Sequence, residues 1–287
     1  MCYVRDMHSE DRKREFYRKM HAAEDAVQQF CTPIYGVRES SQPFLVGSGT
    51  ILDVGEQSFL ITAAHVLDEN TETTLYLPGN PLVQMTGRGI KTQAPLANRK
   101  NDTIDLGIVH LERAIADKVV NVRRIAVQQL DLLDIPQPLT SYGFVGYPSS
   151  KNKPKPGRKL QLTSYIMGVL PLASERYAEV GAHPVLHFAG NFDRSEVVNR
   201  HQQRAQAPDP EGMSGGGVWR LGTYADIESG HAAPALIAIG IEHHADRQLL
   251  LGVRTPFVVA SLSACYPETV PLLPSIPANL KINVICE

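Results

Sequence analysis

Three short stretches carry residue types that could do chemistry. In Phe59-Leu60-Ile61-Thr62-Ala63-Ala64-His65-Val66-Leu67 an apolar run passes through two small residues to a histidine. A buried strand ending this way sets an imidazole at the edge of the core, where it can face a cleft and exchange a proton near neutral pH. In Asp102-Thr103-Ile104-Asp105-Leu106-Gly107-Ile108-Val109 a carboxylate, Asp105, falls just before an apolar strand. Drawn into the interior, it needs a hydrogen-bonded partner. In Glu211-Gly212-Met213-Ser214-Gly215-Gly216-Gly217-Val218-Trp219 glycines stand on both sides of one serine. They permit a tight turn and a close approach of other backbone. The N–H groups of Gly212 and Ser214 can then converge on one point, an oxyanion hole. A phosphate loop would need Lys-Ser/Thr and a helix after the glycines; here the following residues read as a strand. Singly, such a histidine is more often structural, such an aspartate a turn residue and such a loop merely flexible. Together they run in the order His, Asp, Ser, a base, an orienting carboxylate and a hydroxyl nucleophile.

The elements that must position these residues are mostly short strands. Residues 9–30 are the exception: Phe16, Met20, Ala23, Val27 and Phe30 form one apolar stripe on a charged helix, started by Ser9 and closed by Pro33. The stripe reads first as a face packed on the body of the protein and second as a surface for a regulatory partner. From about Thr32, β-rich runs alternate with Gly, Pro, Asn and Asp clusters. Six are expected at Pro43–Leu52, Ser58–Thr62, Thr73–Leu77, Leu82–Met85, Thr103–Leu111 and Val119–Val127. A proline-rich break at Ile135–Leu139 follows. Six more are expected at Thr140–Tyr147, Lys159–Leu170, Val185–Phe188, Gly216–Arg220, Ala235–Glu242 and Leu249–Val258. The basic stretch Ser149–Lys159 reads as a solvated loop. The tail from Tyr266, with Pro267, Pro271, Pro274 and Pro277, reads as an extended strap rather than a strand or helix. The organisation expected is an all-β chain: a helical extension (1–31), two six-stranded antiparallel β-barrels (32–134 with His65 and Asp105; 135–262 with Ser214) and a tail (263–287).

Composition bounds the partners. The 287 residues carry 28 Lys+Arg against 30 Asp+Glu, a net charge of −2, which is no footprint for sequence-independent nucleic-acid binding. With 43% hydrophobic and 20% charged residues the chain reads as globular. No apolar run is long enough to span a membrane, so neither nucleic acid nor membrane is an expected partner. The charged stretch near the N-terminus is unlike a secretory signal. The four cysteines, Cys2, Cys31, Cys265 and Cys286, have no metal-ligand spacing and read as free thiols in a reducing, cytoplasmic compartment. Sequence alone leaves open a meeting of Cys31 with Cys265.

With these residues in view the chain resembles the chymotrypsin-fold, trypsin-like serine peptidases, in particular their intracellular bacterial-type members. Thr62-Ala63-Ala64-His65, Asp105-Leu106-Gly107-Ile108 and Gly212-Met213-Ser214-Gly215-Gly216 match that family's histidine, aspartate and nucleophile motifs. Gly47-Ser48-Gly49-Thr50-Ile51 and Gly146-Tyr147-Pro148 also look like its recurrent strand sequences. The resemblance spans roughly residues 33–262. It implies two barrels with the site in the cleft between them, and a serine endopeptidase acting on a protein or peptide substrate without a cofactor. Ser214 would be the nucleophile, His65 the base and then acid, Asp105 the orienting group, and Gly212, Met213 and Ser214 the oxyanion-hole segment.

The chain departs from the secreted members at two points. No cysteine brackets the histidine or serine, and Met213 stands where they place an aspartate that pairs with a freed N-terminus. Activation by N-terminal clipping is therefore not expected. The specificity pocket should be built from Asp209 and its neighbours before Ser214 and from Gly240, Ile241, Glu242 and His243 on the following strand. Asp209 near the pocket base favours a Lys or Arg side chain; a one-residue shift that brings in His243 would reverse the preference. His243 and His244 point to opposite faces of a strand, so no metal site is expected. Two rival readings are a peptidase-fold module that is latent or inactive without a partner, switched by a flip of the Gly212–Met213 peptide, and an α/β-hydrolase esterase, suggested by G-x-S-x-G alone.

Overall fold

The helix stripe and the alternating strand patterns each bury one face, and the computed structural model shows where. It describes residues 10–38, 42–93, 96, 98–132, 139–153, 162–276 and 284–286. The chain opens with α1 (Glu10–Gln28) and continues through β1 (Cys31–Val37), β2 (Pro43–Val54), β3 (Gln57–Ala63), the short α2 (Ala64–Asp68), β4 (Tyr76–Leu77), β5 (Val83–Gln84), β6 (Gly89–Thr92), β7 (Leu106–Leu111), α3 (Arg113–Ala116) and β8 (Ile125–Ala126). The second half holds β9 (Thr140–Gly146), β10 (Tyr165–Pro171), β11 (His187–Asn191), β12 (Val197–Val198), β13 (Arg204–Ala205), β14 (Gly217–Thr223), α4 (Tyr224–Ser229), β15 (Ala235–His244), β16 (Leu249–Arg254), α5 (Thr255–Cys265) and β17 (Val284–Cys286).

The second unit is a closed six-stranded barrel in the order β10-β11-β16-β15-β14-β9. All its neighbours pair antiparallel. The first unit is a nine-stranded sheet in the order β17-β6-β7-β3-β2-β1-β4-β5, with β8 alongside β2. The mostly β, two-unit organisation with an N-terminal helix is as expected; among the described residues the first unit does not close through a ladder and is a half-barrel of nine strands where six were expected. The strands of this sheet absent from the expectation are β1, β6 and β17; in the second half the two-stranded β12–β13 pair was not expected either. Pro33 disguised β1, yet β1 meets β4 only at Tyr35, so a proline at 33 forfeits no bond on that edge. Sheets that are antiparallel except for the short β2–β8 pair, without alternating β-α crossovers, exclude the α/β-hydrolase reading.

Two further expectations are corrected. Leu249–Val258 is not one strand: β16 ends at Arg254 and α5 follows. Thr255 through Leu262 are all buried, so this helix has no polar face and shows no 3.6-residue stripe. The tail is not a plain strap. Pro267–Leu272 forms 3₁₀ turns, and β17 pairs antiparallel with β6. Cys265 and Cys286 are joined in a disulfide, so they are not free thiols, and the compartment inferred from free thiols loses that support. Cys31 is free and buried, and does not meet Cys265. Cys2, Ser9, Pro277 and the Ile135–Pro138 and Pro154–Lys159 portions of the proposed break and loop lie outside the described residues. No described helix is long and apolar enough to cross a membrane.

The core is continuous across both units: Ile51, Leu60, Ile61 and Ile108 from the first belong to one cluster with Val145, Trp219, Leu236 and Ile239 from the second. A separate cluster of Tyr142, Phe144, Met167, Phe188 and Val218 fills the closed barrel. The stripe of α1 lies on this body. Phe16 is buried against Ile227 and Tyr224 of α4, Val27 is in the main core, and Phe30 stacks on Trp219 at 5.2 Å. Arg12 pairs with Glu228, and Lys19 Nζ donates to the Glu228 carbonyl. The apolar stripe is thus occupied within the molecule, leaving only the charged face of α1 for any partner.

Candidate active site

His65 is placed by the end of β3. Ala63 and Ala64 are fully buried, and their small size lets the chain turn directly into α2 with the imidazole 39% exposed at the rim. Asp105 sits one residue before β7, which pairs with β3 from Ser58↔Leu111 to Ala63↔Leu106. That register brings two positions 40 residues apart in the chain together. Asp105 Oδ2 lies 2.5 Å from His65 Nδ1, and Asp105 Oδ1 accepts the His65 backbone N–H at 2.9 Å. The Asp105 carbonyl accepts from Ala64 N–H at 2.8 Å. One nearly buried aspartate therefore fixes both the ring and the backbone that carries it. Its own backbone has φ of +45°, a left-handed conformation that aspartate tolerates better than most residues. With Nδ1 on the carboxylate, Nε2 is without a hydrogen-bond partner among the described residues. Burial pushes the imidazole down, but the hydrogen bond and charge of Asp105 outweigh it, and its pKa stands above the ordinary 6.5.

The Asp105 loop is fastened by residues that sequence reasoning did not single out. Arg99 bonds Asp68 Oδ2 through Nε at 2.7 Å and Asp102 Oδ2 through Nη1 at 2.5 Å. Thr92 Oγ1 donates to Asp102 Oδ2, and Leu106 N–H donates to Thr92 Oγ1. Asp102 Oδ1 accepts from Ile104 N–H, an Asx turn readable in principle from Asp-x-x before the strand. From the other unit, buried His187 reaches the Thr103 carbonyl through Nε2 at 2.7 Å. Its Nδ1 accepts from His183 N–H, so the proton is on Nε2 and the ring is neutral. Burial holds the His187 pKa below 6.5.

Ser214 stands at the turn leading into β14. Pro210 O accepts from Met213 N–H at 2.8 Å, closing a turn in which Gly212 has φ of +86°, the conformation that calls for glycine at the third turn position. Gly215 repeats that φ; a Cβ there would sit 2.1 Å from both Ser48 O and Thr62 Oγ1. The nucleophile loop is thus pressed on β3 three residues before His65. Gly47 marks the same proximity: a Cβ on it would meet Val66 at 2.7 Å and Ser214 O at 3.3 Å. Ser48, fully buried, joins the pieces. Its N–H donates to Ser214 O, its hydroxyl donates to Gly212 O, and it accepts from Tyr147 N–H, each at 2.9 Å. Thr62 Oγ1 donates to Ser48 O at 2.7 Å. The Gly47-Ser48-Gly49 sequence was noticed as a motif; its role as a hub was not. Among the described residues no hydrogen bond joins the Ser214 hydroxyl to His65.

The expected oxyanion segment is partly corrected. Met213 N–H is bound to Pro210 O and cannot serve, while nothing among the described residues accepts from Gly212 N–H or Ser214 N–H. The Gly212–Met213 peptide is held at both ends, its carbonyl by Ser48 and its N–H by Pro210, so a flip there would break two hydrogen bonds. The Met213 side chain is fully buried in the cluster filling the closed barrel. Of the expected specificity residues, Gly240 adjoins the nucleophile loop: Gly215 N–H donates to Gly240 O and Gly240 N–H to Gly216 O. Asp209 is not a free carboxylate but pairs with Arg194 at 2.6 Å. Glu242 is exposed, Ile241 is buried, and His243 is half-buried. Among the described residues no group of three or more His, Cys, Asp or Glu side chains is gathered as a metal site.

No family model matches the chain, and neither does any curated protein. Among solved structures it is similar to neuropsin, a serine protease expressed in the limbic system of mouse brain, at 15% identity over 82% of this chain and 95% of that one, with a TM-score of 0.48. It is also similar to the tobacco vein mottling virus protease, at 8% identity over 80% and 78% of the two chains, with a TM-score of 0.42.

Proposed function

We propose that this protein is a serine endopeptidase of the trypsin-like kind, acting through Ser214, His65 and Asp105. The observation that carries the reading is the 2.5 Å bond from Asp105 to His65 Nδ1, with the Ser214 loop pressed on the same strand end. Ser214 Oγ attacks the scissile carbonyl carbon while its proton passes to His65 Nε2. The N–H groups of Gly212 and Ser214 donate to the developing oxyanion. His65 returns the proton to the leaving amine as the C–N bond breaks. Water, deprotonated by the same imidazole, then hydrolyses the acyl-enzyme and restores the serine. Met213, buried where a charged residue would be needed, supports activity without N-terminal clipping.

The missing bond between the Ser214 hydroxyl and His65 favours a second reading, a latent enzyme whose serine must move into register. Such bonds are often loose before substrate binds. A fluorophosphonate probe separates the two. Covalent labelling of Ser214 that is lost in both Ser214→Ala and His65→Ala establishes an activated nucleophile. Absence of labelling in the folded wild-type protein points to latency.

A further inference from the structure

Strands β15 and β16 pair Gly240 with Gly252 and then Glu242 with Leu251, so Ile241 is an extra residue, a bulge. One extra residue reverses which face each later side chain takes. Glu242 accordingly points to solvent and meets His244 at 3.3 Å. His243 takes the opposite face, its ring edge-on to buried Phe192 at 6.0 Å. The two bonds between Gly240 and the nucleophile loop fix the start of this segment beside Ser214. Three residues of extended chain then span about 10 Å to His243.

His243 meets Phe192, two residues before Arg194, and Arg194 is in turn bound to Ala207 and Asp209 of the stretch leading to Ser214. Asp209 and Arg194 are close enough for their charges to act on His243. Asp209 Oδ2 is bound to Arg194 Nη1 at 2.6 Å, and Asp209 Oδ1 accepts from Glu211 N–H at 3.3 Å. Arg194 Nε donates to Ala207 O at 3.3 Å. Both carboxylate oxygens are therefore engaged and the negative charge is matched. Arg194 Nη2 keeps its donors, and the His243 ring can donate one hydrogen bond. A Lys or Arg side chain would meet a guanidinium and an occupied acceptor. A carboxylate would meet a guanidinium able to make charge-assisted hydrogen bonds.

We propose, on the peptidase reading above, that the surface carrying Arg194, Asp209 and His243 takes the substrate side chain preceding the scissile bond and selects a carboxylate, Glu or Asp, with Arg194 and His243 as specificity-determining residues. This reverses the preference for Lys or Arg that Asp209 suggested in the sequence.

The test uses peptidyl aryl phosphonates that differ only in that side chain, Glu, Gln, Lys or Phe, with the rate of Ser214 modification read by intact mass. The Glu probe reacts at least about tenfold faster than the Lys probe, a difference of about 1.4 kcal/mol. Arg194→Ala unmasks Asp209 and lowers the Glu-to-Lys ratio by about tenfold or more. His243→Ala lowers the Glu-to-Gln ratio. Glu242→Ala, which removes an exposed side chain whose contact is His244 on the opposite face from His243, changes either ratio less than about twofold. A Lys probe that reacts as fast as the Glu probe overturns the proposal, as does a shift caused by Glu242→Ala and not by His243→Ala. If a small fluorophosphonate labels Ser214 but the side chain makes no difference, this proposal falls and the peptidase reading stands. If neither reagent labels folded protein, the peptidase reading falls and takes this proposal with it.

Discussion

Asp105 does three things at once: it binds His65 Nδ1, the His65 N–H and, through its carbonyl, the Ala64 N–H. The carboxylate charge and the geometry can be separated by Asp105→Asn. On the proposed mechanism that change lowers kcat by about 10⁴-fold while leaving the fold intact, because the amide favours the wrong imidazole tautomer. The pH profile gives an independent readout. Only neutral His65 can accept the serine proton, and its pKa is raised above 6.5. Hydrolysis by the wild-type protein therefore rises with pH through an inflection above 6.5, and in Asp105→Asn the inflection moves to lower pH. The same shift makes the protonated His65 a stabilising partner of Asp105 at low pH, a contribution lost as pH rises through the raised value.

At the scale of elements, the site is held by the crossing of β2, β3, β9 and the loop before β14. Ser48 on β2 binds the Ser214 carbonyl, the Gly212 carbonyl and the Tyr147 N–H. Ser48→Ala leaves the last two without their partner in a buried place. The expected cost is about 1–3 kcal/mol in denaturant unfolding, with a larger loss of kcat than of substrate binding because the nucleophile loop is freed. Arg99, Asp102 and Thr92 do the corresponding work for the Asp105 loop. The bulge at Ile241 works the other way: it re-aims a strand on which the family resemblance placed Glu242 in the pocket.

Across the whole molecule, two features tie distant parts together. His187 of the closed barrel donates to the Thr103 carbonyl of the first unit. Its folded pKa is below 6.5, so the unfolded chain binds the extra proton first as pH falls. Stability measured by denaturation should therefore drop below about pH 6.5, and His187→Gln, which can still donate to Thr103, should flatten that dependence. The effect runs opposite in sign to that of His65, so the variant isolates it. The Cys265–Cys286 bond closes a loop with a sequence separation of 21 and places α5 next to β17, which pairs with β6. Reduction, or Cys286→Ser, should cost about 3 kcal/mol in equilibrium unfolding on the chain-entropy account. Equal unfolding midpoints with and without reductant would show that the bond contributes nothing.

Short-range information determined much of this on its own. The amphipathic stripe of α1, the β-rich run of the chain and its two-unit order were legible because local periodicity decides which faces must be buried. His65, Asp105 and Ser214 were legible as candidates because small residues, a pre-strand carboxylate and flanking glycines are local signals. What was not legible depends on partners distant in sequence. The helix α5 hid because it is buried all round and has no stripe. The extra edge strand of the first unit depends on β6 and β17 finding each other across the chain, and the disulfide brings the same tail to α5. The pairing of Asp209 with Arg194 and the one-residue bulge before Glu242 are settled only by what lies opposite. Local sequence specifies which residue types are present and which faces seek burial; charge neutralisation and side-chain direction are set by neighbours that only the tertiary fold supplies.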